Sequence, residues 1–338
     1  MMFGLNRDFR GYIELKNSLD YGIHLYYKWR CIFLLLKDLL DEFVLELEIQ
    51  NYSPKTIQTY RSKNLNFINY IKDKEKISKV EDVKTIHIKS YIAGLRKAQR
   101  KATYINSVIK TFQAFYKYSV EQGFTSINPI TDVKLLKENK PIINVFTEEE
   151  IKRMLNTFKG NKFLPIRDKG ILCVLIDCGI RCTELLNLKL NDISDNYITI
   201  REPKNRKDRI VSISPYTKKA IAKYLKCRES YFINKTLDIN DYVFLSYRGK
   251  QLTVEAVERV VKIAGKKAEV DEHVRVSPHT LRHFYAVYSL KHDLDLYSLS
   301  INLGHSDVST TSKYLKGLKD KEIVKMSAGK SPLRNLVK

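Results

Sequence analysis

The sequence predicts a two-domain protein, mainly α with a small antiparallel β-sheet. Three observations carry that expectation. The chain has 338 residues, beyond the roughly 100–200 of one typical domain. Apolar residues recur at helical spacing through most of it. Two short β-type runs, residues 197–201 and 209–213, are joined by a polar, basic turn. Hydrophobic residues make up 43% of the chain, which excludes a disordered tail. Lys and Arg number 60 against 38 Asp and Glu, a formal charge of +22 that points to a polyanionic partner, above all nucleic acid. The longest apolar run, residues 31–36, is too short to span a bilayer. No basic, apolar, small-residue order of a secretory signal opens the chain. Five cysteines, Cys31, Cys173, Cys178, Cys182 and Cys227, suit a reducing cytoplasm. No zinc-type Cys/His spacing is present, so neither metal nor cofactor is expected.

Taken in order, residues 1–36 form an N-terminal extension of unassigned role, and the first fifty residues carry 6 basic and 8 acidic side chains, a net of −2. Residues 51–140 reverse that balance with 18 basic and 7 acidic, net +11, and residues 151–338 carry 36 and 20, net +16. A helical domain is expected over 37–132. Ser53-Pro54 reads as a helix start, a serine N-cap followed by proline at the first helical position. Ile57, Tyr60, Phe67, Ile68 and Ile71 follow, and Ile105, Val108, Ile109, Phe112, Phe115 and Tyr116 mark a second buried stripe. Arg96, Lys97, Arg100 and Lys101 precede that second helix and are candidate phosphate contacts; a solvated helix end is the plainer reading. Residues 133–146 read as a linker. Thr147 and Glu150 form a T-x-x-E capping box that opens the second domain, 147–326. An apolar helix over 166–178 ends at Gly179, the two β runs follow, Val243–Leu245 is a third apolar run, and residues 327–338 are a basic tail.

Polar clusters interrupt the apolar helices of the second domain, where polar groups need a reason. In Gly179-Ile180-Arg181-Cys182-Thr183-Glu184-Leu185, Arg181 and Glu184 lie three apart and share a helix face, which by itself predicts a local salt bridge. The turn between the β runs holds Lys204, Arg206 and Lys207, and spacing alone does not choose among them as the phosphate-reaching cation. His279 and Arg282 share a face in His279-Thr280-Leu281-Arg282-His283. Leu303-Gly304-His305-Ser306-Asp307 is followed by Tyr314. Each, alone, has an ordinary structural explanation.

In combination, the order Arg181, Glu184, Lys204, His279, Arg282, His305, Tyr314 resembles the catalytic constellation of the tyrosine recombinases, the group of lambda-type integrases, Xer proteins, Cre and Flp. The G-x-R-x-x-E-L, H-x-L-R-H and L-G-H-S-D…Y blocks carry the resemblance, which covers about residues 37–326. It implies a helical, SAM-like core-binding domain that grips DNA, followed by the family's catalytic domain. It also implies strand cleavage and rejoining without metal, ATP or cofactor. Tyr314 would be the nucleophile, forming a 3′-phosphotyrosine and freeing a 5′-hydroxyl. Arg181 and Arg282 would clamp the nonbridging oxygens. Lys204 would protonate the leaving oxygen, His279 would serve proton transfer at the tyrosine, His305 would bond the phosphate, and Glu184 would orient its neighbours. Arg206 and Lys207 are expected at the DNA. Many relatives read Gly-Lys-Gly in the hairpin turn, whereas this chain reads Pro203-Lys204-Asn205.

The resemblance further implies double-stranded DNA with inverted-repeat core sites as partner, and a tetramer coupled by exchange of the C-terminal segment (Leu315, Leu318, Ile323, Val324, Met326). Accessory bending or directionality proteins belong to the same expectation. The role expected first is integrase or transposition recombinase of a mobile element, with an Xer-type resolvase as the alternative. A type IB topoisomerase and an inactive DNA-binding relative are the remoter readings. Relaxation without a specific site would mark the former, and binding without a covalent adduct the latter.

Overall fold

Local capping chemistry starts many of the helices in the computed structural model, which describes residues 35–138, 144–201, 208–233, 235 and 239–317. Ser53 accepts a bond from the Thr56 amide with Pro54 at the first helical position, and Ser214-Pro215 and Ser277-Pro278 repeat the device. The chain divides into two units, Met1–Lys140 and Pro141–Lys338.

In the first unit four helices run in order: α1 (Leu36–Ile49), α2 (Pro54–Glu75), α3 (Thr85–Lys97) and α4 (Ala102–Glu121). The predicted stripe on α4, from Ile105 to Tyr116, is buried throughout. It packs with Leu39, Leu40 and Phe43 of α1 and Phe67, Ile68 and Ile71 of α2, whereas Ile57 and Tyr60 are only partly covered. Two boundaries differ from the sequence reading. Leu36, assigned to the N-terminal extension, opens α1 and is fully buried, because its amide bonds the Ser78 carbonyl. Part of the expected linker is also built into the cores. Val133 is buried with the first, and the buried Asn106 clamps Leu136 from both sides, its Nδ2 donating to the Leu136 carbonyl at 2.9 Å and its Oδ1 accepting from the Leu136 amide at 2.7 Å. At the other end Phe146 is buried in the core of the second unit.

That second unit contains α5 (Glu148–Leu155), α6 (Phe163–Cys178), α7 (Cys182–Asn187), β1 (Tyr197–Ile200), β2 (Arg209–Ser212), α8 (Pro215–Phe232), α9 (Val254–Lys267), α10 (Pro278–Lys291), α11 (Leu296–Leu303) and α12 (Val308–Ser312). The Thr147–Glu150 capping box is formed in both directions. β1 and β2 pair antiparallel, with Tyr197 opposite Ser212 and Ile200 opposite Arg209. Val243–Leu245 is buried, but its neighbourhood makes isolated bridges, Lys189 with Tyr242 and Leu245 with Gln251, rather than a third strand. α6 lies at the centre, packed by α8 and α10. Among the described residues no helix is long and apolar enough to cross a membrane.

α6 ends where the site begins. Gly179 caps it at φ +59°, and a Cβ there would fall 2.2 Å from the Tyr285 ring. Gly179→Ala should therefore lower the stability of the second unit by roughly 1–3 kcal/mol. Gly94, mid-helix in α3 with nothing within 4 Å of an added Cβ, is the opposite case. Gly94→Ala should stabilise the first unit by about 0.5–1 kcal/mol. Urea unfolding of the two variants checks both signs.

Candidate active site

Five backbone carbonyls at the C-terminus of α11 need partners, because no further helical turn supplies them. The chain reversal at Gly304, φ +62°, satisfies two: the Gly304 amide bonds Ile301 and the His305 amide bonds Ser300. The next three are each taken by a different arginine. Arg209 Nε donates to Asn302 at 2.9 Å, Arg282 Nη2 donates to Leu303, and Arg181 Nη2 donates to Gly304 at 3.0 Å. The negative end of a helix dipole favours cations there. Arg282 also donates through Nη1 to the Gly179 carbonyl at 3.0 Å, so it joins the ends of α6 and α11.

One carboxylate is shared beneath them. Glu184 Oε1 accepts from Arg181 Nη1 at 2.6 Å, and Oε2 accepts from Arg209 Nη2 at 2.6 Å and from the Arg181 amide at 2.7 Å. Arg282 Nη1 stands 4.0 Å from Oε2. The salt bridge predicted between Arg181 and Glu184 is thus present, with Arg181 as the residue that caps α7 rather than a member of its face. Burial alone would raise the Glu184 pKa, but the bonds from Arg209 and Arg181 prevail and hold it below the usual carboxylate range. The four side chains together sum to +2, in a site where Arg282 is 3% exposed and Arg181, at 36% side-chain exposure, is the arginine open to an incoming anion.

His305 follows the reversal. Its Nε2 lies 3.1 Å from Arg282 Nη2 and its Nδ1 lies 2.8 Å from Thr311 Oγ1. A guanidinium can only donate, so Nε2 accepts and Nδ1 carries the proton. Burial, then Arg282 and Arg181, push the His305 pKa down to about 4. Tyr314 sits in the turn Lys313–Gly317, 7% exposed, packed with Ala286, Val287, Leu290, Leu299 and Leu303. Its ring lies 6.3 Å from that of His305, nearly parallel, and 5.2 Å from that of His283. Burial raises its pKa and Arg282 opposes the rise. His279 stacks edge-on against His283 at 4.1 Å, and its pKa is lowered by burial and then by Arg282.

Arg181, Glu184, Arg282, His305 and Tyr314 are therefore brought together, with His279 joined through His283. Lys204, Arg206 and Lys207 lie outside the described residues. Arg96 and Lys97 occupy the exposed last turn of α3 in the first unit, and Lys101 is the N-cap of α4. Arg100 lies over the Tyr104 ring at 5.9 Å. Of the C-terminal segment, Leu315 is described and 40% exposed, and residues from 318 onward lie outside the described residues. Sequence reasoning missed two members. Arg209 stood in a run of basic residues with nothing to separate it from them, and His283 was read only as part of a motif.

His283 and His305 are both pushed to about 4, from an ordinary 6.5. The folded protein then binds fewer protons than the unfolded chain as pH falls below 6.5. The stability they contribute is complete above that pH and lost as pH drops toward 4. The melting temperature of the DNA-free protein should fall over this window, less steeply in His305→Gln. An identical slope in the variant would contradict the assignment.

The phage integrase family profile matches residues 144–321, and that of the phage integrase N-terminal SAM-like domain matches 40–123. Tyrosine recombinase XerC of Lacticaseibacillus casei is 30% identical over 271 residues, 80% of this chain and 90% of XerC. Tyrosine recombinase XerD of Halalkalibacterium halodurans is 28% identical over 263 residues, 78% of this chain and 87% of XerD. In fold, a lambda integrase dimer bound to a COC′ core site aligns with a TM-score of 0.68 at 20% identity, covering 92% of this chain and 88% of that one. The chain belongs to the phage integrase family, the tyrosine recombinases that cleave and rejoin DNA through a tyrosine intermediate.

Proposed function

We propose that this chain is a site-specific recombinase with Tyr314 as its nucleophile. The observation that carries the reading is the burial of Tyr314 against His305 and His283, beside two arginines held by helix-end carbonyls. Tyr314 enters as a phenol, since burial raises its pKa. As its oxygen bonds phosphorus its proton must leave, and His279 and His283 are the neutral imidazoles of α10 on that side. Arg181 and Arg282 meet the charge that grows on the nonbridging oxygens. The bond to the 5′-oxygen breaks, Lys204 protonates it, and the 3′-phosphate stays on Tyr314. A 5′-hydroxyl from a partner strand reverses the step, so the phosphotyrosine conserves the bond energy without ATP. Arg96, Lys97, Arg100, Lys101, Arg206 and Lys207 contact phosphates of inverted-repeat core sites. Four protomers assemble on the DNA through exchanged C-terminal segments, in the cytoplasm and with accessory DNA-bending or directionality proteins where the site requires them.

The role we infer is integration or transposition of a mobile element. Its support is the equal distance of this chain from XerC and XerD of one organism, Halalkalibacterium halodurans, at 28% identity to each. A second reading, resolution of chromosome or plasmid dimers, is favoured by the match over 90% and 87% of the lengths of those proteins.

On a nicked duplex carrying its site, with chelator present, the protein should form an adduct that survives denaturation. Tyr314→Phe should bind and form none, and Arg181→Ala or Arg282→Ala should slow its formation on the order of 10²–10³-fold. Adducts mapped in cells should fall at the ends of an inserted element. A single chromosomal site, used equally in strains lacking the element, would establish the second reading instead.

A further inference from the structure

We propose that Arg209 is a positioning residue of strand cleavage, one that keeps Glu184 from neutralising the phosphate clamp; the inference rests on the reading of the site given above. Arg209 lies at the start of β2, opposite Ile200, and its side chain is 6% exposed. Nη2 is bonded to Glu184, Nε to the Asn302 carbonyl, and Nη1 lies where a Cβ on Gly304 would be only 2.8 Å away. Its Nε and Nη2 are committed to Asn302 and Glu184 and its Nη1 packs against Gly304, so it acts through its neighbours.

What it does to Glu184 follows from the distances. The carboxylate has one oxygen on Arg181 at 2.6 Å and the other on Arg209 at 2.6 Å, and that second oxygen is 4.0 Å from Arg282 Nη1. With Arg209 removed, Oε2 loses its strongest partner in a buried site. Among the described residues, the remaining cations within reach are Arg181 and Arg282. Glu184 would close on them, occupy donors that the phosphate needs and cancel charge that should face the nonbridging oxygens. Arg209 also ties the hairpin strand to the end of α11, so the same side chain sets the height of Gly304, the carbonyl that Arg181 holds. Arg209 thus supplies the third positive charge of the cluster and leaves the charge of Arg181 and Arg282 for the substrate.

The test compares two scissile linkages in full-length protein, a phosphodiester and a methylphosphonate in which one charged nonbridging oxygen is replaced by methyl. Single-turnover adduct formation is measured for the natural protein, Arg209→Met, Arg209→Lys and the pair Arg209→Met/Glu184→Gln, alongside melting temperature and affinity for the site. A residue that protects clamp charge matters most where the substrate carries charge. Arg209→Met should slow diester cleavage on the order of 10²-fold, as loss of one oxyanion donor does, while binding the site. On the methylphosphonate most of that loss should vanish. Arg209→Lys should fall between, keeping a cation on Glu184 but only one anchor, and Glu184→Gln added to Arg209→Met should restore part of the diester rate. Equal losses on both linkages, or diester cleavage at the natural rate, would overturn the proposal. If Arg209→Met does not fold, Arg209→Lys and the double variant are read by the same comparison. Natural protein that binds the site and forms no adduct would sink the reading of Tyr314, a result separable from any defect of the Arg209 variants.

Discussion

The end of one short helix, α11, imposes a requirement on which the rest of the site is built. Its terminal carbonyls must be bonded, and the reversal at Gly304 satisfies only the first two. Asn302, Leu303 and Gly304 are left facing inward, and three arginines from β2, α10 and the start of α7 converge on them. A guanidinium offers five donors in a rigid fork, so one arm can hold a carbonyl while another holds a carboxylate or remains for substrate. Lysine in these places could not do both. The glycine at 304 has two reasons: its positive φ, and the Arg209 guanidinium packed where a side chain would begin.

This arrangement brings positive charge together before DNA arrives. Helix-end dipoles and Glu184 make the arginines tolerable without cancelling them, and the cluster keeps a surplus that a phosphodiester can meet. The same field dictates the state of the histidines. Burial and the neighbouring arginines keep His283 and His305 neutral, with pKa values near 4, and Arg282 fixes the His305 proton on Nδ1. For His305 to donate from Nε2 to a phosphate it must gain a proton or change tautomer, and the anion is what makes that favourable. On the proposed function, substrate binding is therefore linked to where this imidazole carries its proton.

Much of this was legible in the sequence because it is local. The Ser53-Pro54 helix start, the Thr147–Glu150 capping box, glycine at the end of α6 and the two β runs are written in neighbouring residues. Arg181, Arg282, His305 and Tyr314 were legible through the resemblance to the tyrosine recombinases. What escaped depends on contacts between distant segments. In sequence Arg209 is one more cation in a basic run, and only its strand register turns it inward, toward a carbonyl 93 residues away. His283 joins His279 to Tyr314 only once α10 meets the final turn. Val133 and Leu136 read as linker since neither has an apolar period, and it is Asn106, 30 residues earlier, that binds the backbone of Leu136 to the first core.

The central claim is that Arg181 and Arg282, anchored to the α11 carbonyls, are preset around the scissile phosphate. Its most direct test is a crystal structure of Tyr314→Phe bound to an uncleaved core site. The account predicts nonbridging oxygens within hydrogen-bond distance of both guanidiniums, with the bonds to Leu303 and Gly304 retained. A phosphate seated elsewhere, or a clamp that forms only after those carbonyl bonds break, would contradict it.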